Sequence, residues 1–504
     1  MTINLKNLAL FLTTSALILL FLPIINLTTG KATLLDSKGR QKLFSLDIFQ
    51  AEINYLAYNL GISLNSPQVI IGNDGWLFLG DQYNNTITNT RAGTTTEVKK
   101  ISSSIGEAQR AWALWMKKQG ASDYRIIIGP NKSSIYQHKN PRWARPINLN
   151  RTDSLSSDND DIYIDPRKSL TNNSLGYDTY YRTDTHWNSY GAGLAFRGFV
   201  DTLAKTNPGL KSLGLETYEP TGQTVRQGGD LAFFLRIEDR LEDFSISTNI
   251  DKYSHTPKLY DYEQDQELLP QDGGNFNNMN KLLRIRTEGA LNKKKVLWLS
   301  DSFGSAMGDY MAATFSDILK VHYSGLVGTE KLKVLIKEWN PDYVFVTVVE
   351  RNVLDHQFTS PPNPDVVFSA IPIEVSSKLS SPRMHAIRTD GEFFYVVSRD
   401  PFLDYGLPSS ISTKEATALS FFLTCDNNPT AIPIQIFWRH EGEHYQEQHS
   451  LRFNAKNGQN TLTGIIYSQE GRISSIRIDL DGGSVDCMKF KISEPVLGKL
   501  DYKL

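Results

Sequence analysis

The first thirty residues differ from the rest in their pattern. From Asn7 to Gly30 the chain reads NLALFLTTSALILLFLPIINLTTG without a charge. The apolar part, Leu8 to Leu27, has about the 20 residues a helix needs to cross a bilayer core. The pattern predicts an N-terminal transmembrane helix, a signal anchor over 1–30. A cleaved signal peptide is the rival; the length of the run and the lack of a small-x-small site after it speak against that. Residues 31–66 follow as a stalk with a first helix, because SLDIFQAEINYLAYNL (45–60) repeats its apolar positions with helical spacing.

From about Val69 the pattern changes. Short apolar runs (VIIG, YRIIIGP, KKVLWLS, DYVFVTVVE) alternate with helix-like stretches (EAQRAWALWMKKQG, GAGLAFRGFVDTLAK, GSAMGDYMAATFSDILK). Strands that are apolar at every position are buried on both faces. The alternation therefore predicts an α/β domain over 67–358, its sheet mostly parallel and flanked by helices. Three prolines in TSPPNPD open a linker taken over 359–374. Beyond it the period drops to two in EFFYVVS, IPIQIFWR, HSLRFNA, LTGIIYS and ISSIRIDL, which predicts a β-sandwich over 375–504.

Composition narrows the partners. Lys+Arg 53 against Asp+Glu 55 leaves a net charge of -2, and a chain without basic excess is not built for nucleic acid. A neutral or weakly charged substrate fits this balance better. Charge also bears on orientation: Lys6 precedes the apolar segment, while Lys31, Lys38, Arg40 and Lys42 follow it, so the positive-inside count alone would leave the bulk of the chain in the cytoplasm. The two cysteines, Cys425 and Cys487, both sit in strand-like stretches; one disulfide and two buried thiols are both compatible with that.

HEGEH, His440 to His444, matches the zinc-protease pattern H-E-x-x-H by letter. That chemistry needs a helix, where imidazoles four apart share a face. Here strand-like alternation flanks the motif and Gly442 stands in its middle, so it reads as a hairpin tip and no metal site is assigned. Phe437, Trp438 and Tyr445 nearby could stack on sugars, although core packing suits any one of them better.

The stronger chemistry lies in KKKVLWLSDSFGSAMGDYM. A buried strand runs into SDSFG and then into a helix expected to begin near Gly304, which would expose Ser302 at the carboxyl edge of the sheet with its N–H beside the helix N-terminus. Ser302 is the candidate nucleophile, with Ser300 and Asp301 available as caps. A serine needs a base, and the base needs a carboxylate to hold its tautomer. YYRTDTHWNSYGAG (180–193) supplies both: His186 would take the proton and Asp184 would hold the other ring nitrogen.

GNDGWLFLGD (72–81), IIIGPNKSSIY (126–136), YYRTDTHWNSYGA (180–192), GGDLA (228–232) with LSDSFGSAM (299–307), and VVERNV (348–353) together resemble the alginate O-acetyltransferases and related SGNH-hydrolase-like cell-surface polysaccharide acetylation proteins that carry a D-T-H-W motif. The Asp-x-His ahead of the serine is the most specific part, since ordinary SGNH hydrolases place it after. The resemblance implies Ser302 as nucleophile, His186 as base and Asp184 as its partner, without a cofactor. It implies Asn131 or Arg351 as a further oxyanion or substrate donor, each with a structural alternative: a turn residue for Asn131, an ion pair with Glu350 for Arg351. Lys132 and Tyr136 are family positions for which packing and substrate contact are both open. One departure is Ser300, where the family usually has glycine.

By the same resemblance the enzyme transfers acetyl through an acetyl-serine to hydroxyls of an exported polysaccharide. The acetyl group would come from a membrane-bound O-acyltransferase, the helix would sit in the inner membrane, and the remaining chain in the periplasm, against the charge count. The second domain would be a carbohydrate-binding candidate. A carbohydrate esterase using the same three residues and a non-catalytic export subunit are the alternatives.

Overall fold

The computed structural model describes residues 5–30, 32–172, 175–362, 373–379, 381–412, 418–425, 432–455, 458–465, 472–480 and 488–500. The N-terminal run is a helix, Leu5–Thr28, and its stretch Phe11–Thr28 is long and apolar enough to cross a membrane. The expected first helix is Asp47–Asn59.

An eight-stranded sheet organises the α/β domain. Its spatial order is Tyr163–Ile164, Asp123–Gly129, Tyr343–Val349, Asn292–Ser300, Phe315–His322, Leu283–Glu288, Thr256–Asp261 and Gln266–Glu267. The central strand YVFVTVV is buried at every residue, because both faces of the sheet are covered. Val344, Val346 and Val348 face one cluster with Trp112, Trp115, Leu335 and Trp339, from helices Thr96–Lys118 and Glu330–Trp339. Tyr343, Phe345 and Val349 face the other, with Phe196, Phe199 and Met311 from Ser189–Thr206 and Gly308–Thr314. Alternate residues of one strand thus enter two cores.

Three details differ from the sequence reading. The strand Val69–Ile71 pairs with Leu77–Leu79 in a hairpin outside the main sheet, through a turn in which Asp74 (φ 56) and Gly75 (φ 75) are left-handed. Only the first five strands of the sheet are mutually parallel; Leu283–Glu288, Thr256–Asp261 and Gln266–Glu267 add an antiparallel half. LRIRTE buries every second residue, and Thr256–Asp261 and Gln266–Glu267 are mostly exposed or half-buried, so these strands lack the continuous apolar signal of the parallel ones. Finally, TFSDILK is not a continuation of a helix: Phe315–His322 is a strand, parallel to Asn292–Ser300.

The C-terminal region is β-rich. One sheet is built on Ile373–Lys378, Val496–Leu500, Ala418–Cys425, Lys489–Ile492, Phe393–Val396 and Ile387–Asp390; the other on Arg383–His385, Phe402–Ser412, Arg472–Leu480, Ile432–His440 and Ser450–Ala455. Leu419, Phe421 and Leu423 of the first share a core with Ile434, Ile436, Trp438 and Ile476 of the second, as in a sandwich. Cys425 is buried and disulfide-bonded; the other cysteine of the sequence, Cys487, lies outside the described residues. Most of the expected linker also lies outside them. Its first residues belong to the α/β domain, where Trp112 Nε1–H donates to Ser360 O at 2.8 Å. The aromatic trio is engaged: Trp438 is in the core, and Arg477 lies 4.7 Å over the Phe437 ring and 5.2 Å over that of Tyr445.

Candidate active site

At the carboxyl end of Asn292–Ser300 the chain turns into a short helix that begins at Ser302 itself, two residues ahead of Gly304. Asp301 makes the turn. Its Oδ1 accepts the Phe303 N–H at 2.9 Å and its Oδ2 the Val349 N–H at 2.8 Å, while its own N–H donates to Thr347 O at 3.1 Å. The buried Asp301 carboxylate therefore caps the helix and pins it to the neighbouring strand. This leaves Ser302 exposed at the sheet edge. Gly129 on the adjoining strand is required by close approach: a Cβ there would lie 2.6 Å from the Phe303 ring.

The loop 181–187 reaches the same edge. His186 Nε2 lies 2.8 Å from Ser302 Oγ, and His186 Nδ1 lies 2.8 Å from Asp184 Oδ1. That Oδ1 also accepts the His186 N–H at 3.1 Å, so carboxylate and imidazole meet across an Asx-type bend rather than along an extended strand. The structure thus brings Ser302, His186 and Asp184 into one chain of contacts.

Buried and half-buried charges hold the loop in place. Asp243 accepts Thr183 N–H (2.7 Å) and Thr183 Oγ1–H (2.6 Å), and Asp230 accepts Thr185 N–H (2.7 Å) and Thr185 Oγ1–H (2.6 Å). From the other side Lys132 Nζ donates to Tyr181 O (3.0 Å), Arg182 O (3.0 Å) and Asp184 O (2.7 Å). Trp187 Nε1–H donates to Phe303 O at 2.9 Å, tying the loop to the serine helix. Lys132 is therefore a buried support of the loop, and Tyr136, whose hydroxyl accepts Thr179 N–H at 2.7 Å, supports it one turn away.

Asp230 is the residue sequence reasoning missed. Its Oδ2 lies 3.8 Å from His186 Nδ1, a second carboxylate on the same nitrogen. The GGDLA segment was visible, yet nothing in the spacing tied Asp230 to His186. Gly229 beside it must lack a side chain, since a Cβ would sit 2.3 Å from Asp184 Cβ.

Electrostatics separates the two carboxyls. Burial would raise the Asp184 pKa, but the hydrogen bond and charge of His186, with Arg226 (Nη2 3.5 Å from Asp184 Oδ2), hold it well below the carboxylate range. Burial pushes the Asp230 carboxyl up, and the Asp184 charge adds to this. For His186, burial lowers the pKa, but the hydrogen bond and charge of Asp184 and the charge of Asp230 outweigh it and the net shift is upward. Asp184, His186 and Asp230 place ligand atoms within 4.8 Å of one another, as a metal site would. The 2.8 Å contacts of both imidazole nitrogens, however, already engage Asp184 and Ser302.

Asn131 and Arg351 also meet each other, with Arg351 Nη1–H 3.5 Å from Asn131 Oδ1. The Glu350 carboxylate does not pair with Arg351. It accepts Asn131 N–H (2.7 Å), Ser134 Oγ–H (2.8 Å) and Asn150 Nδ2–H (2.8 Å). Burial lowers the Arg351 pKa, and the charges of Asp301 and Asp230 partly restore it.

Solved structures that align with the chain include Bacillus cereus PatB1 (17% identity over 57% of this chain and 98% of that one, TM-score 0.40). The O-acetyltransferase domain of Pseudomonas putida AlgJ aligns at 17% identity over 60% and 100%, TM-score 0.37. Pseudomonas aeruginosa AlgX aligns at 13% identity over 86% and 94%, TM-score 0.32. No curated protein sequence matches. Residues 69–272 match the family described as SGNH hydrolase-like domain, acetyltransferase AlgX; the match contains Asn131, Asp184, His186 and Asp230 and ends before Ser302. Over these residues the chain is similar to the SGNH hydrolase-like acetyltransferase domain that the family describes.

Proposed function

We propose that this protein is an O-acetyltransferase that moves an acetyl group, by way of an acetyl ester on Ser302, to hydroxyls of an exported cell-surface polysaccharide. The observation that carries the reading is the continuous contact Ser302 Oγ–His186 Nε2–His186 Nδ1–Asp184 Oδ1, 2.8 Å at each hydrogen bond. In the first half-reaction Ser302 Oγ attacks the acetyl carbonyl while His186 Nε2 takes its proton, and the imidazolium is held by Asp184. The Ser302 N–H, with Asn131 or Arg351, stabilises the tetrahedral oxyanion. As the intermediate collapses, the donor's leaving oxygen takes the proton from His186. In the second half-reaction His186 removes the proton of an acceptor hydroxyl, which attacks the acetyl-serine; the proton then returns to Ser302 Oγ.

The remaining parts follow that reading. The helix Leu5–Thr28 anchors the protein in the inner membrane, and the α/β domain and the C-terminal sandwich face the periplasm. A membrane-bound O-acyltransferase delivers the acetyl group, and the sandwich (375–504) holds the polymer. A domain of this size crosses despite the modest positive charge after the anchor. The test is incubation of the detergent-solubilised protein with an activated acetyl ester and candidate oligosaccharides, with acetylated sugar read by mass. Acetylated sugar that disappears in His186→Ala supports transfer. Release of acetate alone, unaffected by any acceptor, identifies an esterase instead, and no turnover or serine labelling identifies a non-catalytic subunit.

A further inference from the structure

The backbone around HEGEH is the hairpin that the alternation predicted: Ile432–His440 pairs antiparallel with Ser450–Ala455, and Gly442 (φ 80) is left-handed in the turn. The side chains nevertheless gather, and not those of the helical motif. His440, Glu443 and His449 each place a ligand atom within 4.8 Å of the other two, while His444, the second histidine of the motif, is not among them.

Each member is delivered by a separate device. His440 ends its strand opposite Ile473 and is buried. The left-handed Gly442 folds the chain back so that Glu443 N–H donates to His440 O at 3.2 Å, which returns the carboxylate toward the imidazole. A 3-10 turn, Glu447–His449, brings the second imidazole, with His449 N–H on Gln446 O at 2.9 Å. The two imidazole planes stand at 83° with centroids 5.1 Å apart, so the rings are not stacked. Trp438 stacks along His449 at 5.9 Å and forms an apolar wall. Among the described residues the buried Nδ1 of His449 has no hydrogen-bond partner, and it faces Glu443 Oε2 at 3.9 Å, beyond hydrogen-bond distance.

We propose that His440, Glu443 and His449 form a zinc site with its fourth position open to water. Two imidazoles and one carboxylate suit Zn²⁺, whereas Ca²⁺ and Mg²⁺ require oxygen donors throughout. At Zn–ligand lengths of about 2.0–2.2 Å, tetrahedral donors stand about 3.3–3.6 Å apart. No two donors of the set are more than 4.8 Å apart, so it closes by at most about 1.5 Å on binding, and the exposed Glu443 side chain is free to rotate toward the imidazoles. The metal staples the turn 441–449 to the end of its strand.

The test uses the full chain in detergent, stripped with chelator and titrated with Zn²⁺ against a chromophoric competitor. The expected result is one equivalent bound and a raised Tm, with no Tm shift from Ca²⁺ or Mg²⁺. Glu443→Gln, at an exposed position that leaves the fold intact, and His449→Gln each weaken binding by at least about a hundredfold, the upper end of what even an outer partner of a metal ligand contributes. His444→Gln binds as the parent does. Absence of stoichiometric binding, binding that survives Glu443→Gln and His449→Gln, or binding lost in His444→Gln overturns the assignment.

Discussion

Replacing Asp184 by Asn keeps the shape of the side chain and removes the charge that faces His186 Nδ1 at 2.8 Å. The charge centres of such a pair lie about 4 Å apart, and at an effective dielectric near 20 the attraction between Asp184 and the imidazolium is about 4 kcal/mol. That interaction is made in full only as His186 becomes charged, so its loss falls on the transition state and corresponds to about a thousandfold in rate. Asp230 stays 3.8 Å from the same nitrogen and recovers part of this, so kcat/KM is expected to fall about 10²–10³-fold. The pH profile carries a second signature. His186 accepts a proton only when neutral, so activity rises with pH through its pKa. Asp184 raises that pKa despite burial, so its removal moves the acid limb to lower pH. The assay is hydrolysis of 4-nitrophenyl acetate across the neutral range, corrected for the spontaneous rate. A loss under tenfold, or an acid limb that stays or moves to higher pH, refutes the reasoning. In Asp184→Asn/Asp230→Asn the combined loss should exceed the product of the single losses, because each carboxylate is the other's substitute.

Ser302→Ala is expected to abolish labelling by a serine-directed sulfonyl fluoride and to change stability by less than about 0.5 kcal/mol in denaturant titration, since the hydroxyl is exposed. Gly229→Ala places a Cβ 2.3 Å from Asp184 Cβ and 2.5 Å from its Oδ2; it should cost about 1–3 kcal/mol of stability and shift the acid limb downward, as Asp184→Asn does. Lys132→Met removes the donor to three carbonyls. Arg182 O keeps the Leu77 N–H, but the Tyr181 and Asp184 carbonyls lose a charged donor, so unfolding free energy should drop by about 2–4 kcal/mol.

Much of the site was legible before the fold. SDSFG after a buried strand and Asp-x-His in TDTHW carry their chemistry in adjacent letters, and Ser302, His186 and Asp184 do meet. The supports were not legible. Lys132 stood out only as a family position with packing and substrate contact both open, and Asp243 did not stand out; only the structure shows that they hold the loop of His186 from opposite sides. The antiparallel strands at 256–288 were missed because a half-exposed strand has as many polar as apolar residues and no continuous run to mark it. Ser300, where the family usually has glycine, is accommodated: its Oγ–H turns back to Asp301 O at 2.7 Å, and Gly304 leaves it room.

By itself the sequence determined three of the central strands, in YRIIIGP, KKVLWLS and DYVFVTVVE, where the apolar helix lies, and which short motifs hold the candidate serine, histidine and aspartate, because hydrophobic period and adjacent functional groups are local properties. The tertiary structure alone decided strand order, the arrival of Asp230 beside His186, the contact between Asn131 and Arg351, and the choice of His449 over His444 as neighbour of His440 and Glu443. The contacts of Asp230 and of Asn131 join residues far apart in the chain at one sheet edge, and the histidine group, though local, depends on how the hairpin end folds back; residue spacing specifies neither.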